Sequence, residues 1–414
     1  MNSPHHRPLR LGTRGSPLAL AQAGWIARQL RARCGQPSVV VTVATPGDES
    51  TAPIERLGTT GVFTPTLRAA LLRGAVDFVV HSAKDLPTAP VPGLQVAAFP
   101  AREDPRDALI WPGGTSLDAL PPGARIGTGS PRRAALLRAT GPQLQIVPMR
   151  GNVDTRLRKL ADGEVDALVL AMAGLSRLGL LDKVATPLDP LLLMPAPAQG
   201  VLAVECRTDD PVTAVQLRTL DHAPTRAAAI TERSFLATLA VGCGAPVGAL
   251  AELVVEAGAE PAVRLSGLIA APDGSSVVRA QASGAVADGA ALGRRLAHLL
   301  LEYGGAALLD RTWHGVTEPR SHRRLAVRLV GADHREVLVD EDVVRPVDAD
   351  VVDLVLAVAQ LHDTVHDAAR VGGQRGFRRL VRGRSADDRA RPLLVPASGT
   401  AGLQPASMAA GRWP

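Results

Sequence analysis

Aromatic residues and lysines are scarce in this 414-residue chain. Phenylalanine, tryptophan and tyrosine make up 2% of it, and lysine occurs only at Lys84, Lys159 and Lys183. Stacking platforms for nucleic acid need aromatics. The basic residues are also dispersed, with no long Lys/Arg run, so a net charge of +6 does not point to a nucleic-acid partner. Three scattered cysteines, Cys34, Cys206 and Cys243, exclude a disulfide framework and a cysteine metal-site spacing. The segment MNSPHHRPLR has no apolar core of a secretory signal, and no apolar run reaches membrane-spanning length. A cytoplasmic location and no membrane partner are therefore expected.

What the chain has in place of lysine is arginine. Its planar fork suits small carboxylated or phosphorylated ligands. Two stretches repeat. Leu11 to Leu20 reads LGTRGSPLAL and Ile126 to Leu136 reads IGTGSPRRAAL; each is a short strand, a Gly/Thr loop, then Ser-Pro opening a helix. Further on, GAVDFVVHSAKDL (74–86) parallels GEVDALVLAMAGL (163–175), a turn feeding a buried strand. The first two-thirds thus reads as two α/β lobes of one plan, each offering a helix N-terminus at a strand's carboxyl end, where open sheets bind anions. Leu193 to Val204 reads as a crossing segment. Residues 225–239 are expected to be helical. Strands at 254–255, 263–269 and 276–282, then a helix from Asp288 to Tyr303 with Asp288 as N-cap, make a third, α+β domain. Beyond that, strands are expected at 324–330 and 336–344 and helical spacing at 351–371. Residues 372–414 have a disordered composition.

The chemistry-bearing segments are GTRGSPLA (12–19), HSAKDLP (81–87), REDPRDA (102–108), GTGSPRR (127–133), RGNVDTRL (150–157), PAPAQG (195–200) and GCGAPVGA (242–249). In this order and spacing, over about residues 9–310, they resemble the porphobilinogen deaminase (hydroxymethylbilane synthase) family. The resemblance implies two periplasmic-binding-protein-like lobes with mixed sheets, a smaller α+β third domain and a C-terminal extension. Expected boundaries are 9–100 plus 200–218 for lobe 1, 105–195 for lobe 2 and 222–310 for the cofactor-carrying domain. Residues 311–371 form an extension without an assigned role, and 372–414 form a tail.

The resemblance further implies a cytoplasmic, monomeric transferase of tetrapyrrole biosynthesis. Four porphobilinogen units are condensed, with loss of ammonia, onto a dipyrromethane bonded through a thioether to Cys243. Water then releases linear hydroxymethylbilane. Asp85 is the expected catalytic residue, because one carboxylate can steer a proton to the leaving amine and stabilise the cationic azafulvene that follows. Arg14, Arg132, Arg133, Arg150 and Arg156 are expected to grip the carboxylates of porphobilinogen and of the growing oligopyrrole, with Ser16, Ser82, Ser130 and Lys84 in support. Arg132 and Arg133 lie at a helix N-terminus, where their charge opposes the dipole and a bound anion would relieve it. His81, ending an apolar strand, is read as structural, and Cys34 and Cys206 as small buried hydrophobes.

Residues 46–63 are expected to form a lid carrying Arg56 and Phe63. Pro46 and Thr60 stand where many relatives have cations, and Gly129 where Ser is commoner. A catalytically degraded homologue and a two-lobed anion receptor are the alternative readings. No metal site is expected, His334, His362 and His366 being read as a solvated face. The extension is too short for a uroporphyrinogen III synthase.

Overall fold

The computed structural model describes residues 7–44, 64–140, 143–242, 244–255 and 260–309, and the backbone of 323–329 and 337–339. The expected lid with Arg56 and Phe63, the expected cofactor attachment point Cys243, the three histidines of the extension and the tail all lie outside these residues.

Lobe 1 begins with strand β1 (Leu9–Thr13), helix α1 (Pro17–Cys34) and strand β2 (Ser38–Thr42). Helix α1 starts where Ser16 caps it, its side chain accepting from the Ala19 amide with Pro17 in the first turn. It stops at Gly35, whose left-handed φ of 70° lets its amide return to Arg31 O. Gln22, Ile26 and Leu30, four residues apart, form its buried stripe. Helix α2 (Thr64–Leu72), strand β3 (Phe78–Ser82) and strand β4 (Leu94–Ala98) follow.

The chain then builds lobe 2 from β5 (Asp107–Ile110), β6 (Arg125–Thr128), α3 (Pro131–Thr140), β7 (Gln145–Pro148), α4 (Val153–Ala161), β8 (Ala167–Ala171), α5 (Met172–Arg177) and β9 (Thr186–Pro187). It returns to lobe 1 with β10 (Leu202–Arg207) and α6 (Pro211–Arg218). The sheet orders are β2-β1-β3-β10-β4 and β7-β6-β8-β5-β9. In each, three strands are parallel. The fourth, which arrives from the other lobe, runs antiparallel to its neighbours. Apolar clusters cover both faces of each sheet.

The third domain opens with helix α7 (Ala223–Leu239) and a meander of β11 (Val247–Val254), β12 (Ala262–Ala270) and β13 (Ser276–Ala285), closed by helix α8 (Gly289–Leu300). The first strand therefore begins seven residues earlier than the sequence alternation suggested. Asp288 sits at the start of α8 but its side chain makes no capping bond, because a one-turn 3-10 helix at 286–288 already leads into the helix. Leu292, Leu296 and Leu300 line the face of α8 that packs with Phe235 of α7. Gly293 lets the two helices approach, since a Cβ there would lie 2.4 Å from Thr231 O. Strands β14 (Arg323–Leu329) and β15 (Val337–Val339) extend this sheet, β14 pairing parallel to β13.

Candidate active site

In lobe 1, β3 ends at Ser82 and passes into one 3-10 turn, Ala83–Asp85, before Pro87. The turn is fixed from several sides. Ala83 N donates to Val201 O at 2.9 Å, and Leu86 N closes back on Ala83 O. Arg233, from α7 of the third domain, donates to the carbonyls of Ala83 (3.2 Å), Leu86 (2.8 Å) and Pro87 (2.9 Å). This grip leaves Asp85 exposed at the carboxyl end of the strand, with Lys84 half-buried beside it. Burial pushes the Lys84 ammonium down to about 8; Asp85 and Asp107 oppose the shift, while Arg133 and Arg132 add to it. Ser82 accepts from Gln22 Nε2 at 3.1 Å. Arg14 and Ser16 stand in the loop after β1, the strand parallel to β3.

In lobe 2, Ser130 receives the Arg133 amide (3.4 Å) at the start of α3. Arg132 and Arg133 turn inward and are 4% and 7% exposed. Both end on the fully buried Asp107, at 2.8 and 2.7 Å, and their other nitrogens reach Met194 O and Val169 O. Burial would raise Asp107, but the two guanidinium groups and Gln199 hold it far below the usual carboxylate range. The conflict with the helix dipole therefore has a resident answer. Asp107 supplies the relief expected of a bound anion, because β5 brings a carboxylate to the helix start. Arg156, on α4, donates through Nε to Gly151 O at 2.9 Å, and burial followed by Arg133 pushes it down to about 10. Arg150 follows β7 at its carboxyl end.

All the described expected residues thus gather at the carboxyl ends of parallel strands in the two sheets or on the turns and helices that follow them. Asp85, Arg132 and Arg133 lie close enough to act on the Lys84 ammonium, and Arg133 close enough to act on Arg156. His81 is buried with Nε2 3.3 Å from Glu205, which Arg68 also holds, so its structural reading stands. Cys206 is buried as expected, but Cys34 is exposed, because α1 ends at that residue and turns it outward.

Four residues went unassigned in the sequence. Asp107 and Gln199 lie inside two of the quoted motifs, a signal that was present without a role. Arg177, donating to Gly200 O at 2.7 Å and pushed down to about 10 by burial, is hidden in an arginine-rich composition. Arg233 has no local signal, since its acceptors lie 146 to 150 residues away.

This geometry suits an acid-rich ligand. Arg132 Nε and Arg133 Nε are buried with no hydrogen-bond partner among the described residues, although their terminal nitrogens are engaged. Burial disfavours the charged forms of Lys84 and Arg156, so carboxylates entering here would offset that cost. The acetate- and propionate-bearing dipyrromethane fits that description.

Comparison with known proteins gives the chain's family. The porphobilinogen deaminase, dipyromethane cofactor binding domain, matches residues 9–215, and the porphobilinogen deaminase C-terminal domain matches residues 227–302. The porphobilinogen deaminase of Nocardia farcinica is 51% identical over 316 residues, 75% of this chain and 90% of that protein. Those of Mycobacterium avium and Thermobifida fusca are 50% and 51% identical, covering 74% and 72% of this chain and 98% and 94% of theirs. Among solved structures, the methionine-binding protein MetQ is similar at a TM-score of 0.35 and 14% identity, over 57% of this chain and 95% of that one. The two-lobed fold itself rests on the strand order given above. From its cofactor-binding lobes to its C-terminal domain, the chain belongs to the porphobilinogen deaminase family.

Proposed function

We propose that this chain is a hydroxymethylbilane synthase, building a linear tetrapyrrole from four porphobilinogen units on a dipyrromethane carried by Cys243. The observation that carries the reading is one exposed carboxylate, Asp85, on a pinned turn beside buried cations that outnumber the carboxylates paired with them. Arg14, Arg132, Arg133, Arg150 and Arg156 hold the carboxylates of substrate and cofactor, with Ser16, Ser82, Ser130 and Lys84 in support. Arg56 and Phe63, the expected lid residues, lie outside the described residues. When bound, the dipyrromethane supplies the free pyrrole α-carbon to which the first ring is joined.

The Asp85 carboxylate accepts a hydrogen bond from the substrate's protonated aminomethyl group, which departs as neutral ammonia when its bond to the methylene carbon breaks. Its carboxylate then faces the ring cation left behind and lowers the barrier by opposing that charge. After the new carbon–carbon bond forms, Asp85 takes the proton lost from the α-carbon. The exposed residue then gives that proton to water and is a carboxylate again for the next ring. The fixed guanidinium groups keep the carboxylated rings in register while this happens.

A cytoplasmic monomer with no nucleic-acid or membrane partner completes the proposal. Dispersed arginines and scarce aromatics support it, and no described helix is long and apolar enough to cross a membrane. Intact mass measurement tests the cofactor: an excess of two linked pyrrole units is expected, lost in Cys243→Ser. A bare polypeptide that does not consume porphobilinogen sinks the proposal.

A further inference from the structure

Gln199 sits where the two lobes meet and is 1% exposed. Its amide nitrogen donates to Asp107 Oδ1 at 2.7 Å and to Pro105 O at 2.8 Å. Both acceptors lack a proton to give back, because Asp107 is ionised between two arginines and a carbonyl has none. The amide can therefore point only one way. Its oxygen is turned toward lobe 1, where it accepts from Lys84 Nζ at 3.3 Å. A continuous line runs from Arg132 and Arg133 through Asp107 and Gln199 to Lys84, which adjoins Asp85 in the chain. Each member fixes the orientation of the next.

We propose that Gln199 is a positioning residue: its amide, oriented by Asp107, holds the Lys84 ammonium beside Asp85 and so links the arginine pair of lobe 2 to the catalytic turn of lobe 1. Lys84 needs such a partner. Asp85 on its own turn and Asp107 on β5 favour its proton, while burial and the arginines of α3, Arg133 and Arg132, work against it. A carbonyl oxygen accepting from the ammonium favours the charged form. Gln199 thereby keeps Lys84 a cationic donor at neutral pH, fit to meet a carboxylate. This role deepens the reading of the site as that of a hydroxymethylbilane synthase and rests on it.

The chain has only three lysines, so each can be followed separately. With the holoenzyme labelled at the lysine ε-position, Lys159→Arg and Lys183→Arg identify the Lys84 resonance, and its midpoint is expected near pH 8. Gln199→Met removes the oxygen while keeping the side-chain volume, and the midpoint is expected to fall by about one unit, the equivalent of a hydrogen bond to a charged group. Gln199→Glu places a carboxylate there and is expected to move it upward.

In turnover, the alkaline limb of kcat/KM is expected to shift with the resonance in both variants, with kcat/KM of Gln199→Met down about fivefold at pH 8. An unmoved Lys84 midpoint in a folded Gln199→Met overturns the proposal. So does an activity loss that follows stability alone with an unchanged pH profile. The titration is read on resting enzyme, so it stands even if porphobilinogen proves not to be the substrate.

Discussion

The two lobes share one plan down to single braces, yet they hold different halves of the site. In lobe 1, Asp77 accepts from the backbone and guanidinium of Arg10; in lobe 2, Asp166 does the same for Arg125. These are the aspartates of the repeated Gly-x-Val-Asp turns, and in both lobes they stitch the start of one parallel strand to the next. At the functional ends the copies part. Ser82, Lys84 and Asp85 of lobe 1 correspond in the repeat to Ala171, Ala173 and Gly174 of lobe 2, while Leu18 and Ala19 of α1 correspond to Arg132 and Arg133 of α3. Lobe 1 carries the exposed carboxylate with Lys84 beside it, lobe 2 the buried arginine pair on Asp107. The repeat keeps what holds a strand in place, while the residues at the strands' carboxyl ends differ.

The largest test of that division is Asp85→Asn. Turnover of porphobilinogen is expected to fall at least about a hundredfold with unchanged thermal stability, since the side chain is exposed. Adding Gly174→Asp at the corresponding place in lobe 2 is expected to restore nothing. Recovery of rate would show that the lobes are interchangeable.

Next comes Asp107→Ala, which strands two buried guanidinium groups. A loss of about 3–5 kcal/mol in denaturant unfolding is expected. A neutral effect would mean that the arginines are held by their carbonyl contacts alone.

Gly129→Ser tests the loop that differs from Arg14–Gly15 of lobe 1. A Cβ there would lie 2.4 Å from Met149 O, so the backbone leading to Arg150 must shift. A cost of about 1–3 kcal/mol is expected, together with a raised KM. The glycine thus fits this chain's own packing, although the sequence alone presented it as a departure.

The smallest effects concern the braces. Asp77→Ala is expected to cost about 2 kcal/mol, as a buried carboxylate holding charged partners. Asp166→Ala, whose side chain is 40% exposed, should cost less. Burial would raise Asp77, but Arg10 holds it below the usual range, and Arg125 does the same for Asp166. The brace is therefore fully present above about pH 4 and lost as pH falls through the lowered folded values. Parent and Asp77→Ala are expected to converge in stability toward low pH, and curves that stay parallel would remove the charge from the explanation.

Most of the architecture was legible because it is local. Ser16-Pro17 and Ser130-Pro131 marked helix starts, the apolar runs at 78–82 and 167–171 marked covered strands, and the repeat disclosed two lobes. The turn proposed to be catalytic was legible as a unit for the same reason, since Lys84 and Asp85 are adjacent in one motif. Less visible were partners distant in sequence. The inward turn of Arg132 and Arg133 depends on Asp107, some 25 residues away, and the hold on the Asp85 turn depends on Arg233 in another domain. Asp288 misled because a cap residue type says nothing of what precedes it, and here a 3-10 turn already led in.

Helix α7 turns residue count into distance. Glu232 is wholly buried and fastened to Arg102, to Ala198 N and to Ala251 N, while the next residue, Arg233, clasps the Asp85 turn. From that double rivet to the last helical residue, Leu239, is six residues, or about 9 Å at the usual rise. Cys243 follows four positions later in the sequence. Lengthening or shortening the helix between rivet and thiol would therefore re-gauge how far a primer on the proposed attachment point reaches, leaving the proposed substrate contacts unchanged.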